Sequence, residues 1–479
     1  MTKKSLTKNS LYNTIYCGFT VAFPLISITY FSRILMAEGI GKIEYARTVV
    51  TYFSVIATLG IPAYGVKIIA KAGNDILKRS RTFWEMFYLN FISTVICSLA
   101  YYIFITNTGY FNNRKSLFYI MGSLLIFNAA NIDWYYQGVE DYVYITKRSI
   151  AIKIISFILM VIFVKNADDY IVYAGLLCLA SAGNFIFNVF HLKEQIIFIR
   201  IKDCKISQHL KPVFILFASS IATEVYTMLD TVLIEYFSGE IFVGYYSNCV
   251  KIVRFIFALS TAMVATFQPR ISLYMKDSKN HEINTLLSKG TEILFLFALP
   301  ASIGLFLTSK SLIHILLGDS FMPSVGCLKI LSILIIIFSF AYLLGHIVLI
   351  ASGNESRILL ATICGAIVNA VLNLLLIPDY KHYGAAIASV IAEALVTMVL
   401  LTKSRKIIKL NLEKSFFKSV FISLGTMTIT IQIINFMISN LSIRFILCIF
   451  IGAVVYFSSL ILLKNRIILE FYSKVKLKK

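Results

Sequence analysis

Two carboxylates lie inside one apolar stretch, Ser219-Ser-Ile-Ala-Thr-Glu-Val-Tyr-Thr-Met-Leu-Asp230. The spacing of Glu224 and Asp230 puts them about 120° apart around a helix. The next apolar stretch carries Lys251 and Arg254, which share one helical face at i and i+3. Arg270 follows Pro269 at the end of that stretch. Arg33 closes the first apolar run, and Lys153 interrupts the fifth. Asp133 stands among aromatics in Asn131-Ile-Asp-Trp-Tyr-Tyr-Gln137, and Glu393 lies in a later run. A charge at a bilayer centre costs about 2.5–3.5 kcal/mol on insertion scales, so it normally faces a cavity or a partner.

Gathered together, Arg33, Lys153, Lys251, Arg254 and Arg270 would form a cationic chamber between two halves of the chain. Such a chamber suits a phosphate or pyrophosphate, because guanidinium groups match phosphate oxygens. Glu224, Asp230, Asp133 and Glu393 are candidate ion-coupling groups, for a proton or a sodium ion, or else partners of those cations. A pair such as Asp230 with Lys251 or Arg254 could also do no more than hold helices together. Arg33 and Arg270, near span ends, equally suit snorkelling anchors. Asp133 equally suits an interface position beside its aromatic neighbours. His346 is either a proton relay or a satisfied buried histidine.

Enzyme signatures are missing. The sequence has no Walker loop, no His-Glu-x-x-His pattern and no nucleophile elbow. The eight cysteines are scattered and form no Cys-x-x-Cys pair, so they read as small packing residues. No metal site and no cofactor are expected.

The elements that hold these charges must be membrane spans. The chain is 58% hydrophobic and only 14% charged, whereas a soluble domain is about a quarter charged. A net charge of +21 would suit nucleic acid in a soluble protein. Here the cations sit between apolar runs, and there is no nucleic-acid signature, so the positive-inside rule accounts for them. Roughly fourteen candidate spans follow from run length, at about 12–33, 46–69, 83–105, 116–137, 146–164, 170–192, 212–237, 242–268, 290–308, 327–350, 358–378, 384–402, 416–438 and 444–463. With both termini cytoplasmic, inside loops hold about 32 Lys and Arg, outside loops about 10 and span interiors about 3. The loops are short and leave no room for a soluble domain. The first apolar run lacks a cleavage site and reads as a retained span. Pro24 within it predicts a broken helix beside a cavity, followed by a turn over residues 38–42.

The chain also looks duplicated. Gly41-Lys-Ile-Glu-Tyr-Ala-Arg-Thr48 matches the pattern of Gly244-Tyr-Tyr-Ser-Asn-Cys-Val-Lys251 at an offset of about 203. Gly138-Val-Glu-Asp141 resembles Gly353-Asn-Glu-Ser356, and Asp169-Tyr170 and Tyr383-Gly384 each open a span. The expected organisation is a six-helix lobe over 1–204 and a second over 205–405. Residues 406–479 then hold two extra transmembrane helices and a basic cytoplasmic tail. An even number of spans per half makes the repeats parallel.

Several pieces resemble bacterial polysaccharide flippases of the Wzx type, in the multidrug/oligosaccharidyl-lipid/polysaccharide superfamily. They are the run from Phe23 to Thr48, Trp134-Tyr-Tyr-Gln-Gly-Val-Glu140, and Tyr142 to Ser149. They continue with Tyr226 to Leu233, Val243 to Ser247, Asn369 to Pro378, and Gly384-Ala-Ala-Ile-Ala388. The resemblance spans residues 10–405 and implies an all-α integral membrane fold. It implies two six-helix lobes in a MATE-like arrangement plus two C-terminal helices. It further implies that undecaprenyl-pyrophosphate-linked oligosaccharide, an O-antigen or similar repeat unit, moves from the inner to the outer leaflet of the bacterial inner membrane. The implied mechanism is alternating access, driven by an ion gradient, with the polysaccharide polymerase machinery as a candidate partner beside the lipid bilayer. Arg33, Lys251 and Arg254 occupy positions of the kind that meet the pyrophosphate in this family. Many drug exporters of the superfamily carry an acidic residue in the first span, and residues 11–32 here hold none. That weighs against the rival reading, a multidrug or cation antiporter. A membrane glycosyltransferase or polymerase is a second rival, and it would need a larger loop outside the membrane.

Overall fold

The computed structural model describes residues 6–470, apart from 130, 194, 278, 406 and 409–412. These residues are helical nearly throughout, and no strand occurs among them. A helix satisfies its own backbone polar groups, which the bilayer core cannot do. In chain order the helices are α1 (Leu6–Thr58), α2 (Ile61–Ala72), α3 (Ile76–Asn107), α4 (Lys115–Ala129), α5 (Asp133–Gly138) and α6 (Tyr142–Phe163). Next come α7 (Tyr170–Leu192), α8 (Ser207–Ser238), α9 (Glu240–Ala265), α10 (Gln268–Lys276) and α11 (Asn280–Leu316). The last are α12 (Val325–Leu331), α13 (Leu334–Tyr342), α14 (Glu355–Ser404), α15 (Lys414–Met437) and α16 (Leu441–Leu462).

By length and apolarity alone, nine helical stretches among the described residues can cross a membrane, or ten with the bent pair over 319–349 counted as one span. A count of fourteen requires dividing α1 and α14 at their kinks and adding α6 and α8, which carry charges. Those kinks are single residues, Met36 (φ 58°) in α1 and Lys381 (φ 52°) in α14.

The first run departs from expectation. The helix passes Pro24 without leaving helical dihedrals and breaks at Met36 instead. Residues 38–42 are helical, not a turn. Their glycines serve close approach rather than reversal. A Cβ on Gly41 would overlap the Glu240 carbonyl oxygen and lie 2.6 Å from its carbon. A Cβ on Gly244 would overlap the Ala37 carbonyl and lie 2.9 Å from its carbon. The two glycines matched in the sequence repeat thus seat two backbones against each other.

The same succession of backbone events occurs twice. Met36 stands five residues before Gly41, and Gly239 (φ 96°) stands five before Gly244. A six-residue 3₁₀ turn follows α3 at Gly109–Arg114, and another follows α11 at Asp319–Ser324. Left-handed residues recur at Glu140 and Gly353.

The chain packs as two compact units. The first is residues 1–27 with 34–244, and the second is residues 28–33 with 245–479. Helix α8, at the head of the expected second lobe, packs within the first unit against α2. The expected repeat boundary after residue 204 therefore does not coincide with the division between packing units at 244 and 245. The core of the first unit gathers Phe83, Met86, Trp134, Tyr135, Tyr136, Ile145 and Val213. Phe83 and Trp134 stack with ring centroids 5.6 Å apart. In the second unit α15 and α16 pack on α11, through Val420, Leu424, Ile431 and Leu460 against Leu287, Leu294 and Leu296. The Tyr456 hydroxyl donates to the Leu296 carbonyl at 3.0 Å. Phe436 is 93% exposed and Leu462 81%, as lipid-facing side chains should be.

Candidate functional site

Asp133 and Lys153 line one cavity inside the first unit. It measures about 140 Å³ and lies among α1, α4, α6 and α7. Tyr16, Phe127 and Phe185 wall it, and amides, hydroxyls and three charged groups line it: Asp133, Arg148 and Lys153.

Local chain geometry brings Asp133 to Arg148. Asp133 opens the short α5, and Asn131 Oδ1 accepts from its main-chain N–H at 3.3 Å. The left-handed Glu140 then turns the chain, and the Asp141 carboxylate caps α6 by accepting from the Tyr144 N–H at 3.4 Å. α6 packs against both α5 and α7. Arg148, one turn further, meets the Asp133 carboxylate with both terminal nitrogens, each at 2.9 Å. Bidentate pairing of this kind is the strong form of the arginine–carboxylate bond. Asn188 of α7 donates to Asp133 Oδ1 at 3.0 Å and accepts from Arg148. The Tyr136 hydroxyl donates to the Asn188 carbonyl at 2.6 Å. The guanidinium also lies over the Tyr144 ring, 5.4 Å from its centroid. Arg148 is 6% exposed and Asn188 is fully buried.

Lys153 is held more loosely. Its Nζ is 3.5 Å from the Thr20 hydroxyl and 5.6 Å from the ring centroids of both Phe19 and Phe23. Among the described residues no carboxylate lies within ion-pair distance of it. Two cations thus face one carboxylate whose two oxygens are already engaged. Arg148 Nε and Asn184 Oδ1 are buried without a hydrogen-bond partner among the described residues. A guest that accepts from the cations and donates to the amide oxygen fits this lining: water, or an anionic or hydroxylated group.

The other sequence candidates fall elsewhere. Glu224 and Asp230 are also in the first unit, on α8. Asp230 is buried, and Glu224 is half-buried with the Thr227 hydroxyl 3.5 Å from its carboxylate. The Tyr52 hydroxyl is buried near both carboxylates and has no hydrogen-bond partner among the described residues. In the second unit, Lys251 is half-buried on α9, and Arg254 is exposed one turn on. Arg270 is exposed in the first turn of α10, and Glu393 is half-buried on α14. Arg33 is exposed and donates to the Ile315 carbonyl in the last turn of α11. A cation at a helix C-terminus is favourably placed. That contact suits an anchor at least as well as a ligand.

Sequence reasoning overlooked three members. Arg148 and Asn188 complete the Asp133 network. Arg114 binds two carboxylates, Glu235 Oε1 and Glu240 Oε1, each at 2.7 Å. Tyr110 also donates to Glu235. Only the presence of Lys147 and Arg148 at the start of an apolar run hinted at the first. The partners of Arg114 lie more than a hundred residues away, beyond the reach of any spacing rule.

Residues 6–275 match the family model described as polysaccharide biosynthesis protein. The chain belongs to that family. Residues 148–455 of this polysaccharide biosynthesis protein also match the model described as lipid II flippase MurJ. A putative O-antigen transporter of Escherichia coli (strain K12) is 24% identical over 404 residues, 83% of this chain and 96% of that protein. A probable low-salt glycan biosynthesis flippase, Agl15 of Haloferax volcanii, is 25% identical over 181 residues, 38% of each chain. Among solved structures, lipid II flippase MurJ in an inward closed conformation aligns with a TM-score of 0.75 and 14% identity, over 92% of this chain and 97% of that one. An inward-facing multidrug resistance MATE family transporter of the MOP superfamily aligns at 0.62 and 13% identity, over 79% and 94%. This family member therefore has the all-helical membrane fold shared by MurJ and the MATE transporters.

Proposed function

We propose that this protein is a flippase that moves undecaprenyl-pyrophosphate-linked oligosaccharide from the inner to the outer leaflet of the bacterial inner membrane. The observation that carries the reading is the fold likeness to lipid II flippase MurJ over 92% of the chain, in a member of a polysaccharide biosynthesis family. The curated relatives named as O-antigen transporters support an O-antigen or similar repeat unit as the cargo. Both termini lie in the cytoplasm, and transport runs by alternating access. The relatives are transporters or flippases, which fits a protein that is not an enzyme.

Lys251 and Arg254 meet the pyrophosphate, with Arg270 and Arg33 as weaker contributors. Lys153, beside Arg148, offers a further cation to an anionic or hydroxylated part of the cargo. Among the acidic candidates, Asp133 is already neutralised by Arg148. Glu224 and Asp230 in the first unit and Glu393 in the second are the other candidates for coupling to a proton or sodium gradient. Contact with the polymerase machinery would deliver the flipped unit to the enzyme that extends it.

Two experiments test this. Deleting the gene is expected to trap undecaprenyl-linked repeat units on the cytoplasmic face and remove the surface polymer. Unchanged surface polysaccharide in a clean deletion rules the reading out. Altered drug susceptibility in that strain, with normal polymer, would favour the antiporter. Lys251→Ala and Arg254→Ala are each expected to lower export at least tenfold at normal protein level, about the loss of one charge-assisted hydrogen bond. Arg254→Lys is expected to keep part of the activity, since it preserves charge but not the planar fork. Wild-type export in both alanine variants would move these residues to a structural role.

A further inference from the structure

We propose that residues 195–206, between α7 and α8, form a strap that binds anionic phospholipid headgroups. This rests on the cytoplasmic orientation in the proposed function, because it is the strongly basic inside loops that define that leaflet. Residues 196–200 belong to no helix, and Arg200 has extended dihedrals. Their backbone is held by side chains of α3 at successive turns. Arg79 donates to the Gln195 carbonyl at 3.0 Å, and Ser80 Oγ accepts from the Ile197 N–H at 3.0 Å. Trp84 Nε1 donates to the Ile197 carbonyl and the Tyr88 hydroxyl to the Ile199 carbonyl, each at 3.0 Å. Glu85, itself buried, accepts from the Lys205 N–H at 2.7 Å.

Ile196 and Ile206 pack against the core of the first unit, while other side chains of the strap are exposed. Ile197 is 50% exposed, Phe198 66% and Ile201 48%. Phe198 packs edge-on to Trp84, with centroids 4.9 Å apart. Exposed cations alternate with these apolar groups: Lys193, Arg200, Lys202 and Lys205. Lys78 and Arg81 of α3 are exposed as well. Over residues 195–206 three cations, Arg200, Lys202 and Lys205, outnumber Asp203. Half-exposed apolar groups beside cations suit neither open water nor the hydrocarbon core. They suit the headgroup zone, where aromatic and aliphatic bodies enter the acyl boundary and cations meet phosphate. A polybasic segment in that zone gathers anionic lipid, and the effect is screened by salt.

The chain has two tryptophans. Trp134 lies in the core at 4% exposure, whereas Trp84 touches the strap. Full-length Trp134→Phe protein, reconstituted in phosphatidylcholine with a minor fraction of brominated phosphatidylglycerol, therefore reports lipid at the strap. Quenching of Trp84 is expected to exceed that from the same fraction of brominated phosphatidylcholine, and to fall towards it in high salt. Arg200→Gln/Lys202→Gln/Lys205→Gln should abolish the excess, weakening association on the order of 100-fold. Retention of phosphatidylglycerol through purification, read by native mass spectrometry without the Trp134 substitution, should fall in the same triple variant. Equal quenching by the two brominated lipids, or an excess that survives in the triple variant, overturns the proposal. Neither readout involves transport, so failure here leaves the flippase reading standing, and failure of that reading leaves this one testable.

Discussion

Gly41→Leu is expected to abolish recovery of folded protein, and Gly41→Ala to lower its thermal midpoint sharply. A Cβ at this position would overlap the Glu240 carbonyl and lie 3.0 Å from the Gly244 nitrogen. Both neighbours are backbone, so neither can rotate away, and the helices themselves must separate. Overpacking a well-fitted core costs about 1–3 kcal/mol and sometimes more. Here the penalty is compounded, because separation also breaks the seat of Gly244 on Ala37. Within a bilayer, helix association depends on close packing of small residues rather than on exclusion of water, so lost contact has little else to offset it. Gly244→Ala should behave like Gly41→Ala. Gly175→Ala and Gly425→Ala are the controls, since a Cβ at either site meets nothing within 4 Å. Fluorescence-detected size exclusion and thermal midpoints in detergent read all five variants. A monodisperse, wild-type-like Gly41→Leu protein would show that the crossing does not govern the fold.

Residues 38–42 show what the sequence can and cannot disclose. Two glycines in a short polar interruption read as a turn, and their match with Gly244 was visible. The residue that breaks the helix, Met36, carries no local signature, because a left-handed methionine is held by its surroundings rather than chosen by propensity. The membrane class, the helical fold and most span positions follow from apolar run length, which is a local property. α6 and α8 are harder, because their charges lower the apolarity that reveals a span. The site was legible only in part. Asp133 and Lys153 stand out as charges among apolar neighbours, but Arg148 gains its meaning from the turn at Glu140 that folds α6 back onto α5. Asn188 is a neutral residue in an apolar run, distinguishable from other polar residues only by what it touches. In the sequence the strap is only a basic stretch between two apolar runs. Its attachment to Arg79, Ser80, Trp84, Glu85 and Tyr88 runs through non-helical backbone that leaves no periodic trace.

Removing the Asp133 carboxylate is expected to produce the other large effect. The Arg148 side chain is 4% exposed and that of Asp133 19%. Breaking a buried pair by truncating one member costs about 3–5 kcal/mol, because the other charge is left behind without compensation. Asp133→Ala leaves the guanidinium with Asn188 and Lys153 near a cavity that already holds surplus positive charge. Arg148→Ala leaves a carboxylate that still has the Asn188 amide and some exposure, so its loss should be the smaller of the two. The double variant Asp133→Ala/Arg148→Ala is expected to recover much of the lost stability, since neither charge remains buried alone. Thermal midpoints of the four proteins close a double-mutant cycle, and contacting charges of this kind couple by about 0.5–3 kcal/mol. Additive losses would mean that the pair does not interact as the geometry requires. The same cycle separates two roles for Asp133. An ion carrier that works alone would lose transport in Asp133→Ala whether or not Arg148 is present. A carboxylate that serves to hold Arg148 should regain transport together with stability in the double variant. Both of its oxygens are occupied by Arg148 and Asn188, so the second outcome is the expected one.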